Sequence, residues 1–319
     1  MRYDVTALGE ALIDFTPVGV NDAGVPLYAQ NPGGAPLNCM AQNSKLGGKT
    51  AIIGKVGADG FGDFMIGVMQ ANGIDTHAVC RDEKIHTTLA FVQYKEGGER
   101  TFSFYRNPGA DIMLTKDEID TELINNSHIF HIGSLSTTSE PIRSATYAAL
   151  ECAKEAGCIV SYDPNYRAPL WDSEERAIKE MKALVPYADI IKVSDEELPL
   201  LTGTTDPETG SKIIADMGPT LVLVSLGGDG AFFRCGDKTG KIEGFKVDTI
   251  DTNGAGDAFF GSIHYKLKNS SLDDIKKMTI EELKALVTFG CAAGALTTTA
   301  KGSIPAMRGL EDIEALANS

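Results

Sequence analysis

The nine residues Asp251-Thr252-Asn253-Gly254-Ala255-Gly256-Asp257-Ala258-Phe259 constrain this chain more than any other stretch. A strand is predicted just before them, over Gly244 to Ile250. After them, Ala258 to Tyr265 carries apolar residues at helical spacing, so the stretch is a strand-to-helix turn with two glycines in it. A helix N-terminus presents unpaired backbone N–H groups at the positive end of its dipole, and Gly254 and Gly256 let an anion approach with no Cβ in the way. Together with Ala255 they form a cradle for phosphate. Bound phosphate repels a carboxylate, so Asp257 belongs there only if it handles a proton, as a general base for a hydroxyl would. The alternative on the residues alone is a helix cap, since Asp, Thr and Asn are favoured at helix starts and Gly at turns.

The chain has 319 residues, 43% of them hydrophobic, enough for one large α/β domain with an insertion or for two modest domains. Its first residues lack a signal-peptide pattern, and no apolar run approaches the roughly 18 residues of a membrane helix, so a cytoplasmic protein without a membrane partner is expected. Six cysteines without a Cys-x-x-Cys pair indicate reduced, mostly buried thiols, with neither a zinc site nor a disulfide framework. A formal charge of −15 argues against nucleic acid as a partner. If the ligand is a nucleotide, local donors and Mg²⁺ must meet its phosphates against the global field.

Tyr3 to Gly9 reads as a first strand, and Asp14 falls at or just past the carboxyl end of a strand, where open α/β sheets place ligand contacts. An exposed turn acid is the alternative for Asp14. Residues 16–32 read as exposed strands or a lid. Gly33 and Gly34, bounded by Pro32 and Pro36, make a turn at which backbone can hinge or press against a ligand, and Asn38 lies in the first turn of the following helix. A plain loop-to-helix junction would use the same residues. Thr50 to Gly57 is a strand, and a helix follows Asp59-Gly60-Phe61-Gly62 and ends at Asn72-Gly73. Alternation over His86–Tyr94 and Arg100–Arg106, with a turn at Gly97-Gly98, predicts a hairpin. With residues 13–33 it forms a small β lid from about 13–33 and 86–110, able to close over a substrate and exclude water. Arg106 is either a ligand contact or a solvated strand arginine.

Beyond residue 111 the pattern is regular α/β. His128 and His131 share a strand, three residues apart and so on opposite faces, which argues against a shared metal. A helix over Pro141–Ala156 and a strand over Cys158–Tyr162 lead to Asp163-Pro164-Asn165-Tyr166-Arg167, which stops the strand sharply. Ile190 to Glu197 is a strand entering a helix whose carboxylates, Glu197 among them, also suit a solvated helix start. Ser225-Leu226-Gly227-Gly228-Asp229-Gly230 is a glycine-rich turn after an apolar strand, and the helix over Leu286–Leu296 ends in Ala300–Ala306.

The Asp251–Phe259 string, with the glycine pair and the intermediate strings in the same order, resembles the ribokinase (PfkB-type) family of carbohydrate kinases over essentially the whole chain. Phe102 to Asp111 is most similar to its fructokinase branch. No P-loop string and no protein-kinase string is present. The resemblance implies one domain over 1–319 with the ribokinase-like fold, a doubly wound and mostly parallel sheet with helices on both faces and a β lid. It implies ATP-dependent phosphorylation of D-fructose to fructose 6-phosphate; 2-keto-3-deoxygluconate kinase and ribokinase are the alternatives within the family, and a non-catalytic sugar or nucleotide sensor the one outside it. It makes Asp257 the catalytic base and Gly254, Ala255 and Gly256 the anion hole, with Gly254 and Gly256 also facing the nucleotide. Asp14, Gly33, Gly34, Asn38, Arg106 and Arg167 line the sugar and phosphate site. Ser194, Ser225, Gly227, Gly228 and Gly230 face the nucleotide, with Ser194 standing where the family has asparagine. Glu197 orders Mg²⁺ through water, and Asp251 is a K⁺ contact, although Ala306 replaces a hydroxyl that some relatives offer there. A homodimer through the lid is the implied assembly.

Overall fold

Short apolar runs alternating with amphipathic helices can bury their strands only in a sheet covered on both faces. The computed structural model describes residues 2–94 and 100–319. Its strands are β1 (Tyr3–Leu8), β2 (Leu12–Val20), β3 (Pro26–Gly33), β4 (Thr50–Gly57), β5 (Ile74–Asp75), β6 (Val79–Asp82), β7 (Leu89–Tyr94), β8 (Arg100–Tyr105), β9 (Ser127–Gly133), β10 (Ile159–Asp163), β11 (Ile190–Ser194), β12 (Leu221–Ser225), β13 (Ala231–Cys235) and β14 (Lys238–Ile242). Its helices are α1 (Ala35–Lys45), α2 (Gly60–Ala71), α3 (Thr121–Asn125), α4 (Ile142–Glu155), α5 (Glu174–Leu184), α6 (Leu198–Thr202), α7 (Pro207–Ala215), α8 (Ala255–Leu267), α9 (Leu272–Lys277), α10 (Ile280–Thr297) and α11 (Leu310–Ala317).

The large sheet runs β14-β13-β12-β11-β10-β9-β1-β4-β5, with β6 also on β4, and is parallel except for the β12-β13-β14 edge. Neighbouring residues of one strand enter different cores. Ile129, Leu221 and Leu223 pack with α1, α2, α8 and α10, whereas Phe130, Val222 and Val224 pack with residues of α3 to α7. The two-residue period thus builds two apolar layers from one sheet. Because β1 leads to β4 on one side and β9 to β12 extend on the other, the carboxyl ends of β1, β9, β10 and β11 meet at one crevice.

The small sheet has the order β3-β2-β7-β8. Register places Asp14, Asn31, Ala90 and Phe104 on one face and Phe15 and Phe91 on the other, where Phe15 and Phe91 stack at 4.9 Å. Tyr28 and Tyr105 add edge contacts to Phe91. Six of the eight large hydrophobic side chains exposed among the described residues, Val18, Val20, Val25, Leu27, Tyr28 and Tyr105, belong to this sheet or its β2-β3 turn, so the small sheet carries exposed apolar surface.

Two expectations need correction. Residues 243–249 form no strand. Their alternating pattern is met by packing, with Phe245 on the core and Gly244 against the Gly228–Gly230 backbone, so no ladder is needed. Asp14 does not end a strand of the large sheet; it is the third residue of β2, because the chain crosses into the small sheet three residues after β1 stops. The turn expected at Gly97-Gly98 lies outside the described residues. His128 and His131 have separate partners, Ser270 and Ser161, and among the described residues no cluster of three or more His, Cys, Asp or Glu could hold a metal.

Gly34 joins β3 of the small sheet to α1. It caps α1 with φ 112°, and a Cβ there would lie 2.3 Å from the carbonyl oxygen of Glu10. Both the backbone and the contact exclude a side chain. Gly34→Ala is expected to lower stability by about 1–3 kcal/mol or more, measured as a fall in urea midpoint at unchanged slope; an unchanged midpoint would count against this account.

Candidate active site

Helix α8 starts at Gly254, which is left-handed at φ 76°, and no side chain caps it. The Ala255 N–H makes only a long bond, 3.4 Å, to the Thr252 carbonyl, and the N–H groups of Gly256 and Asp257 that follow keep their hydrogen-bonding capacity for a ligand. The cap reading of Asp251-Thr252-Asn253 does not hold: the Asp251 carboxylate accepts the N–H of Asn253 at 2.9 Å and of Gly302 at 3.1 Å, tying the loop after α10 to the turn. Gly254 must be glycine, since a Cβ would meet Ser303 Oγ at 1.9 Å.

Asp257 lies in the first turn of α8 and is 7% exposed. Its Oδ2 accepts from Asn38 Nδ2 at 2.8 Å and its Oδ1 from Asn165 Nδ2 at 3.4 Å. Burial, then the charge of Asp163, pushes its carboxyl up to about 6, against the pull of Lys192, the Asn38 hydrogen bond and Arg167. The fold brings Asp14 alongside from the small sheet. Burial raises Asp14 to about 6 as well; Arg167 draws it down while the Asp257 charge adds to the rise. Asp14 also explains Gly33, because a Cβ there would lie 2.3 Å from Asp14 Oδ2. Asn38 sits one turn into α1, donates its N–H to the Gly34 carbonyl and retains a buried Oδ1 without a partner in the structure. Asp257, Asp14, Gly33, Gly34 and Asn38 thus share one place, with the exposed Arg167 within electrostatic reach.

Arg106 spends most of its hydrogen-bonding capacity within the protein. It follows β8 and is buried, not solvated. Nε and Nη2 hold Asp111 Oδ2 at 2.8 and 2.6 Å, Nη1 donates to Thr138 Oγ1 and Nη2 to the Leu135 carbonyl. Four of a guanidinium's five N–H groups are engaged, so Arg106 seams the small sheet to the loop after β9.

On the other side, Ser194 and Ser225 end adjacent strands in register, and Gly227, Gly228 and Gly230 form the turn after β12. Glu197 is buried, accepting Tyr166 N–H at 2.6 Å and Ser194 N–H at 2.9 Å on its two oxygens. Burial first, and Asp163 next, raise its carboxyl, offset in part by Lys192 and these N–H groups. With both oxygens engaged, Glu197 suits a contact to a cation through water better than direct ligation. A cavity of about 790 Å³ beside the small sheet, lined by Phe61, Leu89 and Tyr105, contains none of these residues.

Two neighbours, Glu10 and Lys192, were not singled out from sequence, and Asn165 was read only as part of the Asp163–Arg167 string. Asn165 reaches Asp257 from a left-handed backbone, at φ 45°. Glu10 spans from the end of β1 to the Ala35 N–H at 3.1 Å, and burial lifts its carboxyl to about 7. Lys192 pairs with Asp163. A lysine within the apolar run Ile190-Ile191-Lys192-Val193 was the available signal for the last of these.

Residues 3–308 match the model of the pfkB family carbohydrate kinases. A curated relative, probable fructokinase-2 of Arabidopsis thaliana, is 45% identical, covering 98% of this chain and 94% of its own. Among solved structures, fructokinase with bound ATP from Xylella fastidiosa superposes with a TM-score of 0.91 at 30% identity, covering 99% of this chain and 98% of that one. Fructokinase from Vibrio cholerae O395, in a form with fructose, ADP and calcium ion bound, gives a TM-score of 0.87 at 33% identity, covering 98% of each chain.

The raised carboxyl of Asp257 sets a pH dependence of stability. Its folded value, about 6, exceeds its ordinary one of 3.8, so the stability it contributes is full below 3.8 and is lost as pH rises through 6. Asp257→Asn is therefore expected to be more stable than the parent at pH 8, by on the order of 1 kcal/mol, with the difference shrinking as pH falls through 6 toward 4. Melting temperatures across that range test it, and a difference independent of pH would refute it.

Proposed function

The chain belongs to the pfkB family of carbohydrate kinases, and from this premise we propose that its reaction is transfer of the γ-phosphoryl group of ATP to the terminal hydroxyl of D-fructose, giving fructose 6-phosphate. The observation that carries the proposal is Asp257: a buried carboxylate oriented by two asparagines, in the first turn of a helix whose N–H groups are uncapped. The choice of fructose rests on the fructokinase relatives and on the structure of one of them with fructose.

In this reading Asp257 accepts the proton of the sugar hydroxyl as that oxygen forms its bond to the γ-phosphorus. The bond from γ-phosphorus to the β,γ-bridging oxygen breaks, ADP leaves, and the proton passes to solvent when product departs. Gly254 to Asp257 N–H groups stabilise charge on the phosphoryl oxygens. Asn38, with its open Oδ1, and Asp14 take sugar hydroxyls, and Gly33 and Gly34 allow the small sheet to close. Arg167, exposed beside both carboxylates, meets phosphate, while Arg106 acts on the sugar side with its remaining N–H. Ser194, Ser225 and the Gly227–Gly230 turn face the nucleotide. Mg²⁺, when bound, neutralises phosphate charge, and Glu197 would hold it through water. Asp251 with the Ala300–Ala306 loop would hold K⁺. A cytoplasmic setting and a homodimer complete the reading, the apolar outer face of each lid covering that of its partner.

Loss of a positioned base lowers rate by about 10² to 10⁴. Asp257→Asn is expected to bind ATP normally and to lose turnover by such a factor, measured as ADP release with Mg-ATP and fructose. In the parent, kcat/KM should fall below about pH 6, where Asp257 is protonated. Fructose should lead a panel with ribose, 2-keto-3-deoxygluconate, glucose and adenosine; another leader would move the substrate assignment, and no ADP above the sugar-free blank would favour a sensor. Sedimentation should give twice 34.0 kDa, with Val20→Asp/Tyr105→Asp shifting the mass to the monomer.

A further inference from the structure

Lys192 and Asp163 form a buried ion pair that the steps above leave unused. Their side chains are 6% and 1% exposed, and Lys192 Nζ stands 2.5 Å from Asp163 Oδ2. Burying an ammonium inside an apolar strand is unfavourable unless its partner and position are well defined. Here the position is beneath the anion cradle, since a Cβ placed on Gly256 would lie 3.4 Å from Lys192 Nζ. The partner leads onward. Asp163 Oδ1 accepts the N–H of Asn165 at 3.2 Å, and Asn165 donates from its side chain to Asp257 Oδ1 at 3.4 Å. Asn165 is the one non-glycine residue with positive φ among the described residues, and the Pro164 carbonyl beside it is held by Ser134 through N–H and Oγ. A left-handed asparagine costs free energy that its surroundings must supply.

We propose that Lys192 is a positioning residue for phosphoryl transfer: through Asp163 and the left-handed Asn165 it aims Oδ1 of Asp257, as Asn38 aims Oδ2, and its charge lies beneath the turn that receives phosphate. The inference rests on Asp257 being the base. The surrounding charges are consistent with it. Lys192 faces Asp163 of β10, Glu197 before α6 and Asp257 of α8; burial draws its ammonium down, but these carboxylates outweigh burial and keep it protonated. Asp257 faces Asp163, Lys192, Asn38 and Cys39 of α1, Arg167 and, from the small sheet, Asp14. His131 of β9, close to the pair, is driven by burial down to about 4 and is neutral at working pH. Lys192 is thus a permanent cation in a group dominated by carboxylates.

The test uses the full chain with Lys192→Met, Lys192→Arg and the double variant Lys192→Met/Asp163→Asn, which removes both charges of the pair together if the single variant folds poorly. Displacing a reacting group by about 1 Å can lower rate by about 10²-fold. Lys192→Met and the double variant should lose kcat on that scale, with KM for sugar and ATP affinity held within about threefold. Lys192→Arg should recover part of kcat. In Lys192→Met the acid limb of kcat/KM should move to higher pH, because removing the cation makes Asp257 easier to protonate. Normal kcat in the double variant, or an unmoved acid limb with kcat following only the folded fraction, would overturn the proposal. If Asp257→Asn stays active the base assignment itself fails; if Asp257→Asn is inactive while the Lys192 variants are normal, only this inference fails.

Discussion

A carboxylate can remain buried and still available to accept a proton only if its charge is balanced loosely. Asp257 meets that condition without a direct ion-pair partner of its own among the described residues. Two neutral amides hold its oxygens, the nearest buried cation is already paired with Asp163, and Asp163 pushes back. A lysine paired directly with Asp257 would hold it ionised and lower its proton affinity; an apolar surround alone would leave it protonated at neutral pH. The intermediate arrangement puts its carboxyl near 6.

Much of the surrounding architecture follows from holding those two amides in place. Asn38 depends on where α1 begins, and α1 begins where Glu10 receives the Ala35 N–H and Gly34 turns against the Glu10 carbonyl. Asn165 depends on β10 ending at Asp163 and on Ser134, after β9, holding Pro164. Asp257 itself depends on α8, which packs between α1 and α10. These elements come from distant parts of the chain and converge because parallel strands all present their carboxyl ends to one crevice. The small sheet adds Asp14 from the open side, its own apolar face turned away from the chemistry.

Local readings held where one physical cause acted alone. Thr50–Gly57, buried along its whole length, was legible as a strand to the residue. The reading of α2 held as well, because Asp59 caps its start and Gly73 takes the left-handed turn just beyond its end. Failures came where two causes share a pattern. The alternation over Gly244–Ile250 is what a strand needs, yet it also suits an extended segment packed on a core, and only the absence of a neighbouring ladder distinguishes them. Asp14 was misplaced because strand ends are local but sheet membership is not. Arg106 offered a solvated or a ligand-facing reading, and the structure gave a seam through Asp111, Thr138 and Leu135, residues whose proximity no spacing reveals.

By itself, the sequence determined the kind of chemistry and the class of fold. A glycine turn opening a helix, with an aspartate inside its first turn, can be stated from backbone geometry and charge without knowing what surrounds it. The tertiary structure alone decided which groups surround that aspartate, and so its acidity: Asn38, Asn165, Asp163 and Lys192 stand 219, 92, 94 and 65 positions away from it in the chain. Electrostatic and desolvation effects depend on distance and burial in space, which a linear order of residues does not contain.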